Sequence, residues 1–280
     1  MKMKLTIGCF LLAVLGLNSP QAFRIAFRTG TPDVAAGGAT DFTADGNCVA
    51  SYFMNAADDG EEQDRTSTNH LAESTSDTIV RSSTVPDGYS GYSKDFEAGD
   101  TERFIRADAS LSPGLDFSGS NQVFSVVSWI NSEAIGGFDF QNVITHARSS
   151  SGNQGLRFGI RAGSDNQFRI RVQISGNGTS ETTCDSTTTT YTTGTWYHVA
   201  FVYDDTNGTV YVNGSADGAT AHTTGIFDNS MEFTIGAQDS GGEHFDGLID
   251  EVALFDRILT VAEVGSIYTN GIDGTKGAND

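Results

Sequence analysis

The sequence predicts an all-β chain folded around one core, on three observations. The composition, with 33 Gly, 4 Pro and 10% aromatic residues, suits short strands and tight turns better than packed helices. Several runs alternate apolar and polar residues with period two, and Asn-Gly, Pro-Asp-Gly and Gly-Ser-Asp-Asn segments punctuate them. A chain of 280 residues in this class is ordinarily a single domain.

The elements follow in order. Residues 1–22 read as a signal peptide: Lys2 and Lys4 precede the apolar stretch from Leu5 to Leu17, and Ala22 is the small residue before the cut. The protein is therefore expected to be secreted, to the extracellular space, the cell surface or the periplasm. No later segment has the apolar length to span a bilayer. Residues 23–44, rich in Gly, Ala and Thr, read as a flexible linker, residues 45–272 as the folded domain, and 273–280 as a loose tail. Val49, Tyr52 and Phe53 mark a first strand between Cys48 and Asn55, followed by an acidic loop from Asp58 to Asp64. Pro86-Asp87-Gly88 signals a turn, and 93–97 with 102–106 read as a strand pair. The run from Phe124 to Ile130 is apolar at both parities, as expected of a strand covered on both faces. Leu156, Phe158 and Ile160 alternate with Arg157, Gly159 and Arg161, while Phe168, Ile170, Val172 and Ile174 alternate with Arg169, Arg171 and Gln173. The turn Gly163-Ser164-Asp165-Asn166 joins these two runs into a hairpin. Strands from Trp196 to Asp204 and from Gly208 to Asn213 are joined through Asp205-Thr206-Asn207-Gly208, and Asn213-Gly214 turns the chain again. Strands from Met231 to Ile235 and from Leu248 to Phe255 precede one short helix. Thr260-Val261-Ala262-Glu263 forms its capping box and Asn270-Gly271 its end.

Losing Lys2 and Lys4 takes the formal net charge from −20 to −22. A surface this acidic argues against nucleic acid and anionic membranes as partners. Cys48 and Cys184 remain after cleavage in a compartment that permits disulfides, so they either pair or stay as buried thiols.

Three segments in order carry a family resemblance: Phe124-Ser125-Val126-Val127-Ser128-Trp129-Ile130; the run from Gly194 to Asp204 leading into the run from Gly208 to Gly214; and Phe245-Asp246-Gly247-Leu248-Ile249-Asp250-Glu251-Val252 leading into the capped helix. The stretch from Cys48 to Gly271 resembles the laminin-G-like jelly-roll domains of the concanavalin A-like lectin/glucanase superfamily. The resemblance implies a two-sheet antiparallel jelly-roll sandwich with one short C-terminal helix, and often a structural calcium ion. Asp250 matches the position at which relatives supply a calcium-binding carboxylate near the start of the last strand. The matching N-terminal region reads Phe53-Met54-Asn55, so Asn55 would offer an amide oxygen where the family has a carboxylate. Hard oxygen ligands of this kind suit Ca2+.

The fold hosts lectins, glycosidases, adhesins and spacers, so function has to come from side chains. A glycosidase needs two carboxylates on one cleft. The strand-borne Glu-x-Asp-x-Glu spacing is missing, and Asp250 and Glu251, adjacent in a regular strand, would face opposite sides. The five histidines form no metal-protease motif, and no Gly-x-Ser-x-Gly or phosphate loop occurs. Trp129, Trp196 and His198 read as core. The hairpin is the unusual feature, because alternation gathers Arg157, Arg161, Arg169 and Arg171 on one face. Guanidinium groups so placed either pair with acids on adjoining strands or bind an anionic ligand such as an acidic or sulfated polysaccharide. The expected function is a carbohydrate-binding or adhesion module without a catalytic site, contacting glycans or surface proteins. A polysaccharide-degrading hydrolase or lyase and a structural spacer are the rival readings.

Overall fold

The computed structural model describes residues 33–34, 39–57, 61–66, 69–74, 78–100, 102–112, 114–116, 123–135, 139–147, 152–238 and 242–277. Residues 1–22, assigned above to a signal peptide, residues 23–32 and 35–38 of the linker, the start of the acidic loop at 58–60, and 278–280 lie outside them.

The strands are β1 (Asp33–Val34), β2 (Thr40–Asp41), β3 (Cys48–Tyr52), β4 (Ala72–Glu73), β5 (Val80–Ser82), β6 (Ser93–Phe96), β7 (Phe104–Arg106), β8 (Phe124–Ser132), β9 (Phe140–His146), β10 (Leu156–Ala162), β11 (Gln167–Ile174), β12 (Thr182–Asp185), β13 (Tyr191–Thr192), β14 (Tyr197–Tyr203), β15 (Asn207–Val212), β16 (Ser215–Ala221), β17 (Phe233–Ile235) and β18 (Gly247–Phe255). One helix, α1 (Val261–Asn270), follows. Two eight-stranded antiparallel sheets form the sandwich. The hairpin sheet runs β12-β11-β10-β9-β17-β7-β4, with β13 added beside β11; the helix-covered sheet runs β16-β15-β14-β8-β18-β6-β5, with β3 added beside β18.

Period two explains the packing. On β11 the apolar Phe168, Ile170, Val172 and Ile174 are buried while Arg169 and Arg171 are not, and on β10 Leu156, Phe158 and Ile160 join them in the main core. Val126 and Ile130 of β8, Phe201 and Tyr203 of β14, and Ile249 and Leu254 of β18 meet them from the other sheet. Each fully buried ring or branched aliphatic side chain here contributes about 1.5–3 kcal/mol. β8 is buried along its whole length because its outer face is covered too: Val127, Ala200, Val202 and Ala253 pack under Val264 and Ile267 of α1 in a second cluster. The capping box at Thr260 and Glu263 starts that helix as the sequence predicts, with Thr260 Oγ1 accepting from Glu263 N at 3.2 Å and Glu263 Oε2 accepting from Thr260 N at 2.7 Å.

Four expectations are corrected. β6 and β7 do not pair: β6 lies against β18 and β7 against β17, in opposite sheets. The reason is that Phe96 and Phe104 meet edge-on across the core, 5.9 Å apart, instead of sharing one sheet face. The hairpin between β14 and β15 turns at Asp204–Asn207, where Asp205 has φ +67° and Asp204 Oδ1 accepts from Thr206 N and Asn207 N. Gly208 instead lies in β15, where a Cβ would meet the Phe201 ring at 2.5 Å. The packed body starts before Asp45: Phe42, the one bulky apolar residue near the end of a polar stretch, is 1% exposed in the second cluster, and its N–H donates to Ile272 O at 2.8 Å. The chain after Ile272 is also held, since Ser90 N donates to Lys276 O at 3.0 Å and Lys276 N to Asn270 O at 3.2 Å.

Candidate functional site

An open pocket of about 360 Å³ lies on the outer face of the helix-covered sheet, beside α1. Six separate stretches of the chain build it. Trp129 points outward from β8 because its neighbour Ile130 points into the core, and the start of β14 supplies Trp196. The Pro86-Asp87-Gly88 turn, closed by Tyr89 N donating to Pro86 O at 3.0 Å, brings in Asp87 and Tyr89. Tyr268 comes from the last turn of α1, and Lys276 from the held tail. The Asn213-Gly214 turn forms the rim: a Cβ at Gly214 would stand 3.1 Å from Tyr268, so glycine there lets the helix approach the sheet.

Three of the pocket's rings are locked to one another. Tyr89 meets Trp129 edge-on at 5.5 Å, and Trp129 Nε1 donates to Tyr89 Oη at 3.0 Å. Tyr268 lies 5.7 Å from Trp129 on its other side. Behind them His198, paired with Trp129 across β14 and β8, contacts Trp129 at 5.4 Å and Tyr268 at 5.9 Å. Neither His198 ring nitrogen has a hydrogen-bond partner among the described residues, and burial pushes its pKa down to about 3, so the ring is neutral. Trp129 is 7% exposed, while Tyr89, Trp196 and Tyr268 are half-buried with ring surface open to the pocket. The sequence reading of Trp129 and His198 as packed residues holds, while Trp196, also read as core, is half-buried on the pocket wall, and the His198 ring is packed without hydrogen bonds to the described residues. What it missed is that Trp129 also lines an open pocket.

Asp250 and Glu251 do not face opposite sides. The register slips between Asp250, opposite Trp129, and Ala253, opposite Val127, and Glu251 takes φ +43° in the bulge. Glu251 Oε2 accepts from Ile272 N at 3.1 Å on the outer face, the face that Asp250 shares with Trp129. Both carboxylates are 3% exposed and neither lines the pocket. They are near enough to act on Tyr89, whose hydroxyl is held far above its ordinary pKa by burial, Glu251, Asp250 and Asp273 in turn.

The calcium expectation falls on Asp250 and Asn55. Asp250 Oδ1 accepts from Glu251 N at 2.8 Å, and Asn55 Oδ1 accepts from Tyr92 N at 2.7 Å, so both oxygens are engaged by backbone. Among the described residues, the groups of acids and histidine that draw their ligand atoms within 4.8 Å, Asp108 with Asp116 and His146 and Asp95 with Glu97 and Glu133, lie elsewhere. Cys48 and Cys184 are both free, correcting the disulfide alternative: Cys48 sits in the outer cluster beneath α1 and Cys184 in the core between the sheets, on opposite sides of the helix-covered sheet.

The four arginines do share one face, in register as Arg161 opposite Arg169 and Gly159 opposite Arg171. Each already has a carboxylate. Arg157, 3% exposed, pairs with Glu243 and with Glu181 at 3.6 Å and lies 4.6 Å over the Phe140 ring. Arg161 meets Asp139 at 3.5 Å. Arg171 binds Asp185 through Nε at 2.7 Å and Nη2 at 2.6 Å, and Arg169 reaches the same carboxylate at 3.4 Å. Burial works to raise the Asp185 pKa, but Arg171 and Arg169 outweigh it and hold it below the ordinary range. The face is charge-compensated.

A two-sheet antiparallel jelly-roll sandwich is the concanavalin A-like architecture. The profile of the Laminin_G_3 family, described as the concanavalin A-like lectin/glucanases superfamily, matches residues 106–265, and the chain belongs to that family. No curated protein sequence matches the chain. Among solved structures, domain 4 of AbnA, a GH43 extracellular arabinanase from Geobacillus stearothermophilus solved with arabinotriose, is similar at 20% identity and TM-score 0.58, over 79% of this chain and 98% of that one. The binding domain of Paraclostridial Mosquitocidal Protein 1 is similar at 14% identity and TM-score 0.60, over 79% of this chain and 52% of that one. The binding domain of botulinum neurotoxin DC, solved in complex with SialylT, gives 14% identity and TM-score 0.57, over 80% and 51%. The chain thus spans about half the length of the toxin domains it matches. At these identities the likeness is one of fold.

Proposed function

We propose that this is a secreted glycan-binding module whose site is the pocket formed by Tyr89, Trp129, Trp196 and Tyr268, and that it has no catalytic site of its own. The observation that carries the reading is the pocket itself. Trp196, with Tyr89, Trp129 and Tyr268 fixed by mutual contact, offers apolar ring surface to the C–H face of a sugar, while Asn213, Asp87 and Lys276 at the margin supply hydrogen-bonding groups for its hydroxyls. Such a site binds without reorganising, which favours affinity. The neighbours solved with arabinotriose and with SialylT support a carbohydrate ligand of some kind. Secretion rests on the leader at 1–22. The compensated arginine face and the engaged Asp250 and Asn55 give no reason to place an anionic polysaccharide or calcium at those positions.

The test is a glycan array probed with the purified protein, followed by a reducing-end assay on every glycan retained. Retention without new reducing ends, reduced by Trp196→Ala, is the expected result. Release of reducing ends would replace this reading with a hydrolase, and an array with no retained glycan would replace it with a spacer or protein-adhesion role.

A further inference from the structure

We infer that the pocket selects sugars carrying a protonated amine, such as 2-amino-2-deoxy residues with the amine unacetylated, over neutral and anionic sugars. This rests on the glycan-binding reading and specifies its ligand class. Two independent features of the site point the same way. The first is geometric: Tyr89, Trp129, Trp196 and Tyr268 line one open space, and aromatic rings attract cations through their quadrupoles. The pocket already holds one ammonium in that relation, since Lys276 Nζ stands 5.5 Å from the Tyr89 ring centroid. Lys276 therefore acts as the chain's own stand-in for a ligand amine.

The second feature is the charge around the rings. Asp87 lines the pocket; Asp250 is the cross-strand partner of Trp129 on the same face; Glu251 is turned to that face by the bulge; and Asp273 directly follows Ile272, whose N–H Glu251 binds. Among the lining residues Asp87 and Lys276 carry the charges, the other three carboxylates stand behind the rings, and His198 there is neutral. The field is already felt inside the site, where Glu251, Asp250 and Asp273 all add to burial in opposing ionisation of Tyr89. With a net charge of −20 on the whole chain, an incoming carboxylate or sulfate meets repulsion at long and short range, and an ammonium meets attraction.

The experiment is calorimetric titration of the purified protein, at low ionic strength, with four oligosaccharides of equal length: unacetylated glucosamine, N-acetylglucosamine, glucose and galacturonate. The glucosamine oligomer is expected to bind about tenfold more tightly than its N-acetylated counterpart, the size of one cation–π contact with its field. Added salt should shrink that advantage, the galacturonate oligomer should be weakest, and Lys276→Met, which removes the internal ammonium, should tighten the glucosamine oligomer further. Equal affinity for the amine and its acetylated form, or tighter binding of galacturonate, overturns the amine preference while leaving glycan binding intact. Failure of all four to bind overturns both.

Discussion

Replacing Glu62 with Gln isolates one strongly shifted acid at a site remote from the pocket. Glu62 is 3% exposed, bridged to Leu71 through backbone bonds of 2.9 Å in both directions, with its Oε2 accepting from Ala56 N at 3.1 Å. Burial pushes its pKa from 4.5 up to about 7, against the opposing pull of the Ala56 N–H and Lys94. Because the folded value lies above the unfolded one, the associated stability is fully present below about pH 4.5 and is lost as the pH rises through 7. At about 1.4 kcal/mol per unit, the loss is about 3 kcal/mol. Gln keeps the acceptor for Ala56 N and carries no charge to bury, so it removes this pH dependence. Urea unfolding of wild type and Glu62→Gln, followed from about pH 4 to about pH 8, should show the difference in unfolding free energy growing in favour of the variant by about 3 kcal/mol. A difference that stays constant across that range refutes the buried-carboxylate account.

Three further outcomes are expected. His198→Phe should act with the opposite sign: burial holds the native His198 pKa at about 3, below the ordinary 6.5, so its stability is present above 6.5 and lost as the pH falls toward 3, by about 3 kcal/mol near pH 4. The phenyl ring keeps the contacts to Trp129 and Tyr268, and acid melting curves of the variant should therefore shift to lower pH. Gly159→Ala places a Cβ 2.0 Å from Gln141 O at the bulge between β9 and β10, which forces those backbones apart; differential scanning calorimetry should record a loss of about 2 kcal/mol. Cys48 and Cys184 are free and buried, with burial raising both thiols, so neither should react with a thiol reagent until denaturant is added, and reductant should leave the melting temperature unchanged.

Local pattern carried most of the fold. The alternation in β10 and β11, the double-parity run in β8 and the capping box of α1 each report which faces are buried, and burial is what shapes those elements. Pairing between distant strands is not encoded locally, which is why β6 and β7, each strand-like, were expected together and lie in opposite sheets. The bulge at Glu251 has no local marker: no glycine or proline interrupts Asp250-Glu251-Val252, and the bonds that accompany it run from Ile272 N to the Glu251 carboxylate and from Glu251 N to Asp250 Oδ1. The arginine face was legible, its neutralisation was not, because Asp139, Asp185 and Glu243 arrive from other loops and strands. The pocket was the least legible feature. Its rings come from β8, the approach to β14, the Pro86 turn and the end of α1, and outward parity of Trp129 beside His198 was the single local signal for it.

The measurement that tests the account most directly is the affinity of one retained glycan for Trp196→Ala and for the double variant Arg169→Ala/Arg171→Ala, side by side with the parent protein. Loss of one stacking ring should weaken binding about tenfold, with the double arginine variant unchanged. Unaltered affinity in Trp196→Ala together with loss in the arginine variant would contradict the account and place the ligand on the hairpin sheet.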